Sequence, residues 1–428
     1  MNIKDSINFD FKNEILSCKS YINEFTSELY NEFDKKSDDI GLMSKIDDLL
    51  SGEKVNHTEG LAAFHPKYRG INHDTENNLK YSELFKSAKN IINIGIGGSF
   101  EGPKLLIESK GKTNANYIFI TGSDHEEFKE KTSDLKLSET IFIISSKSFT
   151  TAETLASLKE AICWAKDTSR FIAITANKSE ALKYNIKNII EFDKEIGGRY
   201  SIWSDISLVA HWEDKIEFKD NFLKGGKQAD IDIYEDHNYL KFLKYLSFSD
   251  IWLHNFKHRT SRAILSYIWK FRSLPSYFQQ LEMESLGKQP SEESEYKKTG
   301  QVIFGGYGPT AQHSYFQLLH QGTQDTCADI IVGKQNKNNL AYAQAITQSK
   351  LLSNGVKDYL KEEEIINGNV PINIFLLNSI NSYTLGYLIA TWEYRTFITS
   401  IMLGINSFDQ FGVNAGKIYT EKYLADKE

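Results

Sequence analysis

Four short apolar runs in residues 90–177 each end in glycine or hydroxyl residues, and no other feature constrains the fold as strongly. The runs are NIINIGIGG, NYIFITGSD, TIFIISSKS and RFIAITANKS. Helix-like stretches such as GPKLLIESK and TAETLASLKEAICWAKD lie between them. β-branched apolar runs that alternate with helices are typical of a parallel sheet covered on both faces. The pattern predicts an α/β fold with ligand sites beyond the carboxyl ends of the strands.

A second block of the chain repeats this pattern. Strands are predicted for PSYFQQLEM, GQVIFGGYG, CADIIVG and INIFLLNS, and helices for AQHSYFQLLHQG and YTLGYLIATWEYRTFITSIML. Residues 205–270 have helical periodicity and are expected to bridge the two blocks. Two α/β domains that face each other leave a cleft between their strand ends, where ligands commonly bind.

Residues 1–60 precede both blocks and differ from them in composition. They are polar and rich in Lys, Asp and Glu, and the segment EILSCKSYINEFTSELYNEF has apolar residues at helical spacing. The predicted organisation is a helical extension over 1–60, a first α/β domain over 61–240 and a second over 241–428.

Composition excludes several classes of protein. The net charge is −7 over 428 residues and there is no long basic run, which argues against a nucleic-acid surface and gives no reason for binding anionic membranes. Cys18, Cys163 and Cys327 are far apart and suit a reducing compartment. No signal peptide is visible, and Glu393 and Arg395 interrupt the most apolar segment. We therefore expect a cytoplasmic protein.

The first glycine loop, GIGGSFEGP, is a candidate phosphate site between a strand and a helix. Its glycines allow backbone N–H groups to approach an anion at a helix N-terminus. Gly95 and Gly97 also fit a dinucleotide fingerprint, for which Asp124 would bind a ribose, but Phe100 occupies the third glycine position. A tight turn without a ligand is equally compatible with this loop taken alone.

The second loop, SSKSFTTAET, strengthens the phosphate interpretation. Its hydroxyl residues and its lysine lie where a strand gives way to a helix, as in a cradle for a phosphate monoester. Ser and Thr are also ordinary helix caps, but a cap needs only one or two hydroxyl groups. A second anion loop beside the first is not required by a dinucleotide enzyme.

Five ionisable residues elsewhere are candidates that residue type alone does not decide. Arg199 in GGRYSIWSDISL could stabilise an oxyanion, and His320 in FQLLHQGTQD could exchange protons near pH 7. Lys417 ends INSFDQFGVNAGK. Glu282 and Glu284 lie in QLEMESLGK, where a predicted strand gives way to a glycine turn. Each could equally be structural or solvated.

Taken together and in order, these motifs closely resemble the glucose-6-phosphate isomerase family, also called phosphoglucose isomerase. The resemblance covers about residues 60–420, and GGRYSIWSDISL and INSFDQFGVNAGK are its most specific segments. It implies two SIS-type α-β-α sandwich domains with parallel sheets. It also implies a homodimer with its sites near the subunit interface, and reversible isomerisation of glucose 6-phosphate to fructose 6-phosphate in glycolysis and gluconeogenesis.

The resemblance implies a role for each matching residue. Glu284 would be the base that moves a proton between C2 and C1, and Arg199 would stabilise the enediol(ate) intermediate. His320, lent by the partner subunit, and Lys417 would assist ring opening. The residues expected to bind the phosphate and the rest of the substrate are Gly98, Ser99, Ser146, Lys147, Ser148, Thr151, Gln280 and Gln410.

The chemistry of a carbonyl shift requires such a set. One carboxylate has to accept a proton from C2 and return it to C1, and a fixed cation has to stabilise the passing negative charge on oxygen. The remote phosphate supplies binding energy that fixes the sugar. This chemistry needs no cofactor and no metal, and the sequence shows no cluster of metal ligands.

Four departures from the family pattern bear on rate rather than on reaction type. Leu286 replaces the usual Asn beside the expected base, Ser148 replaces Thr, and Asn414 replaces Glu. Residues 305–313 read GGYGPTAQH where GEPGTNGQH is usual. A non-catalytic sugar-phosphate sensor, a dinucleotide oxidoreductase and an isomerase that also accepts mannose 6-phosphate remain alternatives.

Overall fold

A computed structural model describes residues 8–70, 80–212, 217–356 and 361–426. Within these ranges the strands form two sheets, with the orders β4-β3-β5-β6-β7 and β1-β2-β11-β10-β8-β9. The strand bounds are β1 Phe9–Lys12, β2 Leu16–Tyr21, β3 Asn90–Ile94, β4 Asn116–Ile120, β5 Thr140–Ser145, β6 Phe171–Thr175, β7 Asn188–Glu191, β8 Ser261–Ser266, β9 Val302–Tyr307, β10 Thr326–Gly333 and β11 Ile372–Leu377.

Helices cover and connect these strands. In the described ranges they are α1 Ser27–Asp39, α2 Leu42–Ser51, α3 Ser82–Lys86, α4 Gly98–Lys110, α5 His125–Thr132, α6 Ala152–Ala165, α7 Lys178–Lys183, α8 Leu208–His211, α9 Glu217–Glu235, α10 His237–Phe256, α11 Leu274–Leu286, α12 Gly308–Ala311, α13 Phe316–Gln321, α14 Leu340–Asn354, α15 Ser382–Leu403 and α16 Asn414–Ala425. Of these described helices, none is both long and apolar enough to cross a membrane.

The first sheet is entirely parallel and buries both of its faces. Ile91 and Ile143 point into one hydrophobic core, while Ile92 and Ile144 point into another together with Leu158 of α6. This alternation follows from the two-residue period of a strand, and it explains why the strands are continuously apolar in sequence. The four apolar runs predicted as strands are β3 to β6, so the predicted α/β fold is confirmed.

The second sheet has a parallel centre, in which β8, β9, β10 and β11 pair in the same direction. The three predicted strands GQVIFGGYG, CADIIVG and INIFLLNS are β9, β10 and β11. The central strand of the group, β8, was not predicted from the sequence. It lies at the end of the region expected to be helical, directly after helices α9 and α10.

The prediction of a wholly helical N-terminal extension is wrong for residues 9–21. These residues form β1 and β2, and β2 pairs antiparallel with β11. Leu16, Cys18 and Ser20 are completely buried, because the strand lies between its two neighbours inside the sheet. An apolar set that fits a helical period over a short segment also fits a strand, and here tertiary pairing decided the outcome. The helical prediction holds for Ser27–Asp39 and Leu42–Ser51, which form α1 and α2, and it is wrong for residues 52–60, which form turns and irregular structure.

The prediction of a strand over PSYFQQLEM is also wrong, because this segment lies within helix α11. Pro275 occupies its first turn, where a missing N–H removes no helical hydrogen bond. Leu274, Tyr277, Phe278 and Leu281 are buried and follow the i, i+3, i+4, i+7 spacing of a helix face. The carboxylates of this segment therefore lie on a helix and not at the end of a strand.

Helix α15 is buried along almost its whole length, as expected for a core helix with a largely apolar sequence. Its two interior charges are paired. Arg395 donates to Asp250 and Asp329, and Glu393 forms an ion pair with Arg69. Buried charges are tolerated when they are paired and hydrogen-bonded, which explains how a core helix carries Glu393 and Arg395.

Candidate functional site

Two loops at the carboxyl ends of the neighbouring strands β3 and β5 form one side of an open cleft. The first loop leads into α4 through Gly97, which adopts the left-handed φ of 60°. The second leads into α6, whose first turn follows Thr151. Both helices therefore direct an N-terminus, the positive end of the helix dipole, into the same cleft. This arrangement is suited to binding an anion.

Asn93, which sequence reasoning did not select, connects the two loops. It is buried on β3, and its side-chain amide donates to the Ser99 carbonyl over 3.0 Å. Its carbonyl oxygen accepts a hydrogen bond from the Ser145 hydroxyl over 3.2 Å. A polar residue inside an apolar strand was a visible signal, because buried polar side chains are usually hydrogen-bonded.

Gly98 allows the first loop to pack against the turn that carries Arg199. A Cβ atom at Gly98 would lie 1.9 Å from the carbonyl oxygen of Gly198. No side chain fits at that distance, so the glycine is required for close approach of two backbones. Ser99 follows at the start of α4 and lines the cleft.

The second loop presents hydroxyl groups around the start of α6. The Ser146 hydroxyl lies 3.4 Å from that of Thr151 and accepts from the Phe149 N–H. The Ser148 hydroxyl accepts from both the backbone N–H and the hydroxyl of Thr150. Phe149 is buried with φ of 55°, which turns the chain so that these hydroxyls face the cleft. Ser146, Ser148 and Thr151 all line it, as the resemblance implied.

Lys147 places a cation between these hydroxyl residues. Burial lowers the pKa of its ammonium group below the ordinary value, and the nearby Glu59 and Asp193 carboxylates offset this effect only in part. A bound anion would compensate for the lost hydration of the ammonium group. Lys147 is therefore built to interact with a negatively charged ligand.

Arg199 lies beneath the cleft and is almost completely buried. Each of its five N–H groups is used. Nε donates to the Ser285 hydroxyl over 2.8 Å, and Nη1 donates to Glu284 over 3.3 Å and to Gln410 over 2.9 Å. Nη2 donates to the carbonyls of Ser407 and Asp409. The guanidinium is therefore fixed in position before any ligand arrives, as electrostatic stabilisation requires.

Glu284 lies near the end of α11 with its carboxylate in the cleft. Oε2 accepts from Arg199, and Oε1 accepts from the Gln280 side-chain amide one helical turn earlier, over 3.2 Å. Its side chain is 36% exposed, so a ligand can reach it. A carboxylate that is held by two donors and is accessible from the cleft can exchange a proton with a bound molecule.

Glu282 is a structural residue, although it precedes Glu284 by only two positions. It is buried and accepts from Arg262 and from the Trp392 indole N–H. Residues two apart on a helix point in different directions, which separates the two acids. Burial raises the pKa of Glu282, and the positive charges of Arg262 and Arg395 act against that increase. In the strand that the sequence analysis predicted here, residues two apart would instead point to the same face.

Gln410 and Lys417 close the other side of the cleft. Gln410 faces Arg199 from the segment that follows α15, and Lys417 lies one turn into α16. Both line the cleft, together with residues that were not selected from the sequence, among them Glu153, Asn177 and Lys194. Asn177 and Lys194 lie in loops that follow β6 and β7, so only the strand order shows that they reach this edge.

His320 is not in this cleft. It lies near the end of α13, where its Nε2 is 2.9 Å from the side-chain oxygen of Gln348 on α14. Burial lowers the pKa of His320, and the hydrogen bond with Gln348 opposes this shift. His320 therefore does not contribute to the cleft of its own chain in this structure.

The cleft has a volume of about 670 Å³ and opens to solvent. Of the residues expected from the sequence, those that line it are Gly98, Ser99, Ser146, Lys147, Ser148, Thr151, Gln280, Glu284, Gln410 and Lys417. Arg199 contacts two of them from below. Among the departures from the family pattern, Ser148 lines the cleft, Leu286 is buried and Asn414 begins α16. Their effect on rate stays a prediction.

The structure argues against the dinucleotide alternative, because the acidic residue expected to bind a ribose has a structural role. Asp124 caps helix α5 by accepting from the Glu126 N–H over 3.0 Å. Phe100, which stands at the third glycine position, packs edge-on against Phe119 with ring centroids 5.5 Å apart. Both residues therefore have structural explanations, and neither needs a nucleotide.

Comparison with known proteins agrees with this geometry. The family model described as phosphoglucose isomerase matches residues 78–427. A glucose-6-phosphate isomerase of Pseudomonas putida (strain W619) is 32% identical over 94% of this chain and 85% of the relative. One of Legionella pneumophila (strain Paris) is 31% identical over 97% of this chain and 91% of the relative.

A solved structure shows the same fold. The crystal structure of a glucose-6-phosphate isomerase from Chlamydia trachomatis D/UW-3/Cx superposes with a TM-score of 0.86 at 22% identity, covering 98% of this chain and 90% of the other. The matched family model spans all the described strands except β1 and β2, and every element that contributes to the cleft. The chain belongs to the phosphoglucose isomerase family.

Proposed function

We propose that this protein catalyses the reversible isomerisation of glucose 6-phosphate and fructose 6-phosphate. The observation that carries this proposal is the position of Glu284. Its carboxylate is held by Arg199 and Gln280 inside the cleft that also contains two helix N-termini and the hydroxyl loop. A base, a fixed cation and a phosphate cradle in one cleft are the groups that this isomerisation requires.

The phosphate group of the substrate would bind at the loop of Ser146 to Thr151 and at Ser99. Hydroxyl groups, a lysine and helix N-termini supply charge-assisted hydrogen bonds to phosphate oxygens. Glu284 accepts from Arg199 and Gln280 and, among the described residues, from none of these phosphate-binding groups, so the phosphate can anchor the sugar without taking part in the reaction. Its binding energy then positions C1 and C2.

Proton transfer would follow ring opening. For conversion of the aldose, the Glu284 carboxylate removes the proton from C2, the electron pair forms a C1–C2 double bond, and negative charge develops on the C1 oxygen. Arg199 stabilises that charge until the proton of the C2 hydroxyl is transferred to the C1 oxygen. As that proton leaves, a carbonyl forms at C2 and the protonated Glu284 returns its proton to C1, which gives the ketose. No atom is lost, and the carboxylate is regenerated.

Ring opening requires an acid and a base near the ring oxygen and the anomeric hydroxyl. Lys417 lies in the cleft on the side opposite the glycine loop and is one candidate. His320 is the other, supplied by a second subunit. A homodimer is supported by helix α16, whose residues are all exposed, including the large apolar side chains of Ile418, Tyr419 and Tyr423. Exposed apolar patches of this kind mark interaction surfaces.

The reaction is tested by coupled turnover of fructose 6-phosphate by the purified protein, with no added metal or nicotinamide in the isomerisation step. We expect turnover by the wild type. Glu284→Gln should lower kcat by about 10²–10⁴-fold, because an amide cannot accept the proton. An inactive wild type that still binds the sugar phosphate would instead indicate a non-catalytic sensor.

The origin of His320 is tested by subunit complementation. Glu284→Gln and His320→Ala chains are each expected to be inactive. A mixed dimer has one site with both residues intact only if the histidine crosses the interface, so reassociation of equal amounts should restore about a quarter of wild-type activity. If the mixture stays inactive while mixed dimers form, His320 does not act across the interface.

The predicted cytoplasmic location and the domain division complete the proposal. A cytoplasmic setting agrees with the three cysteines, none of which forms a disulfide, and with the absence of a spanning helix among the described residues. The division at about residue 240 separates the strands of the two sheets apart from β1 and β2, but it falls inside α10, and α9 packs against α15 of the second part. Separate expression of 61–240 would test whether that part folds alone.

A further inference from the structure

We infer that Lys288 is a positioning residue for the reaction proposed above, acting through Asp409 on the segment 406–410. This segment carries Gln410 and two of the carbonyl groups that hold Arg199. Lys288 follows helix α11, which carries Glu284. The residue therefore connects the helix that carries the proposed base with the segment that orients the proposed charge-stabilising arginine.

The contacts of Lys288 are short and protected from solvent. Its ammonium group donates to the Asp409 carboxylate over 2.8 Å and also to the Asp409 backbone carbonyl. The two side chains are only 16% and 9% exposed. An ion pair at this degree of burial is screened far less than a surface pair, so its geometry is maintained.

Arg199 uses the same backbone carbonyl. Its Nη2 donates to the Asp409 carbonyl over 3.0 Å, so one oxygen accepts from two cations. Its Nε donates to Ser285 at the end of α11. Lys288 and Arg199 thus both connect the end of α11 with the segment 406–410. Of these two residues, only Arg199 contacts the proposed base.

The second carboxylate oxygen of Asp409 is also occupied. It accepts from the Thr58 hydroxyl over 2.7 Å, and Thr58 in turn accepts from the Asn406 amide over 2.7 Å. Burial acts to raise the pKa of Asp409, but hydrogen bonds from Lys288 and Thr58 outweigh it and lower the pKa. Asp409 is thus held as a carboxylate, and its charge is balanced by the ion pair with Lys288 and by the nearby Arg199.

Lys288 is distinct from the cations expected to bind substrate. Among the described residues that line the cleft, the lysines are Lys147, Lys194 and Lys417. Loss of Lys288 should therefore release the segment 406–410 and misplace Arg199 and Gln410 without removing a phosphate contact. The expected signature is a decrease in kcat with little change in KM.

The experiment uses the full chain and four variants. Lys288→Met removes the charge, Lys288→Arg restores it, and Asp409→Asn weakens the pair from the other side. Lys244→Met is the matched control, because Lys244 is similarly buried and bonds to Asp34 over 2.7 Å, away from the cleft. Each variant is assayed for kcat and KM with fructose 6-phosphate, and for amide hydrogen exchange in peptides that cover 404–410.

We expect Lys288→Met to lower kcat by about 10- to 100-fold with KM changed less than about threefold. Exchange in 404–410 should accelerate about tenfold, because the opening free energy of that segment falls. Asp409→Asn should show a smaller effect of the same kind, Lys288→Arg should recover most of kcat, and Lys244→Met should change neither quantity.

Equal kcat in Lys288→Met and wild type would overturn the inference, as would an equal loss of kcat in Lys244→Met. Accelerated exchange without a loss of kcat would make Lys288 a purely structural residue and would also overturn it. If wild-type protein turns over neither sugar phosphate, the proposed reaction is wrong, and unchanged exchange in Lys288→Met would then separately reject the role of Lys288.

Discussion

Arg199 donates from Nη1 to Oε2 of Glu284 over 3.3 Å, the longest of its five hydrogen bonds. A long bond to an accessible carboxylate is the contact most readily exchanged for a substrate oxygen. The other four bonds keep the guanidinium plane in place during that exchange. The site is therefore organised before substrate binds, and its cation is already adjacent to the base.

Replacement of this arginine by lysine should be severe despite conservation of charge. An ammonium group has three donors and no planar fork, so Arg199→Lys would leave accepting groups around it unpaired. We expect kcat to fall by about 10²–10³-fold in steady-state assays. Arg259→Lys is the control, because Arg259 forms a partly exposed pair with Asp325 away from the cleft. Similar rates for both variants would contradict the role of Arg199.

Gly98→Ala should disrupt two segments together: the loop of Gly97 to Ser99, called here the phosphate loop, and the turn of Gly198 and Arg199, called here the arginine turn. The added methyl group would lie 1.9 Å from the Gly198 carbonyl oxygen, so one backbone has to move. We expect a loss of about 2 kcal/mol or more in the free energy of unfolding, measured by urea titration, together with a loss of activity. Gly70→Ala is the control, because the nearest atom to its added Cβ lies 4.0 Å away.

Lys147 should make phosphate binding dependent on pH. Only the protonated amine attracts the phosphate, and burial lowers its pKa below the ordinary lysine value. Below that lowered pKa the ammonium form is present and KM is low. As the pH rises through it, KM should increase at a lower pH than for an unperturbed lysine.

The variants Lys147→Arg and Lys147→Met separate charge from bulk. The arginine stays charged, so the alkaline increase in KM should disappear or move to higher pH. The methionine should raise KM by about 10- to 100-fold at all pH values, because it removes a charge-assisted hydrogen bond. An alkaline increase in KM that is unchanged in Lys147→Arg would assign it to another group.

Replacement by glutamine should change the free energy of unfolding very differently at the two neighbouring acids of α11. In Glu282→Gln, whichever oxygen becomes NH₂ would face a donor, either Arg262 or Trp392, so we expect a loss of about 3 kcal/mol in the free energy of unfolding. Glu284→Gln should leave stability within about 0.5 kcal/mol, because surface-accessible groups contribute little. Thermal unfolding of both variants measures the difference, and equal melting temperatures would refute it.

The sequence predicts the ligand-binding edge of the first sheet well for a physical reason. Strands buried on both faces have to be continuously apolar, so their ends and the Gly98 and Lys147 loops are visible in the residue pattern. The prediction of a strand for PSYFQQLEM failed because a short apolar run fits a helix and a strand equally. The proline of this segment is compatible with the start of a helix. For β2, pairing with β11 overrode a local helical period.

The site was predicted through the family resemblance more than through periodicity. Residue type could not distinguish Glu282 from Glu284, since only the direction of the helix separates a buried acid from an accessible one. The ion pair between Asp409 and Lys288 could not be predicted from the sequence. They lie 121 positions apart and meet only because two distant segments converge beneath the cleft.

The backbone contact between Gly98 and Gly198 limits how this cleft can be redesigned. Because the phosphate loop and the arginine turn meet without intervening side chains, neither can be enlarged or displaced while the other stays in place. A cleft meant for a bulkier sugar would have to be widened elsewhere. Val413 lines the cleft just before α16 and is 51% exposed, so that wall can be remodelled without disturbing the anchoring and charge-stabilising groups, as long as Lys417 and the exposed apolar face of α16 are kept. Selection for a new substrate, natural or in the laboratory, should therefore accumulate changes around Val413 first.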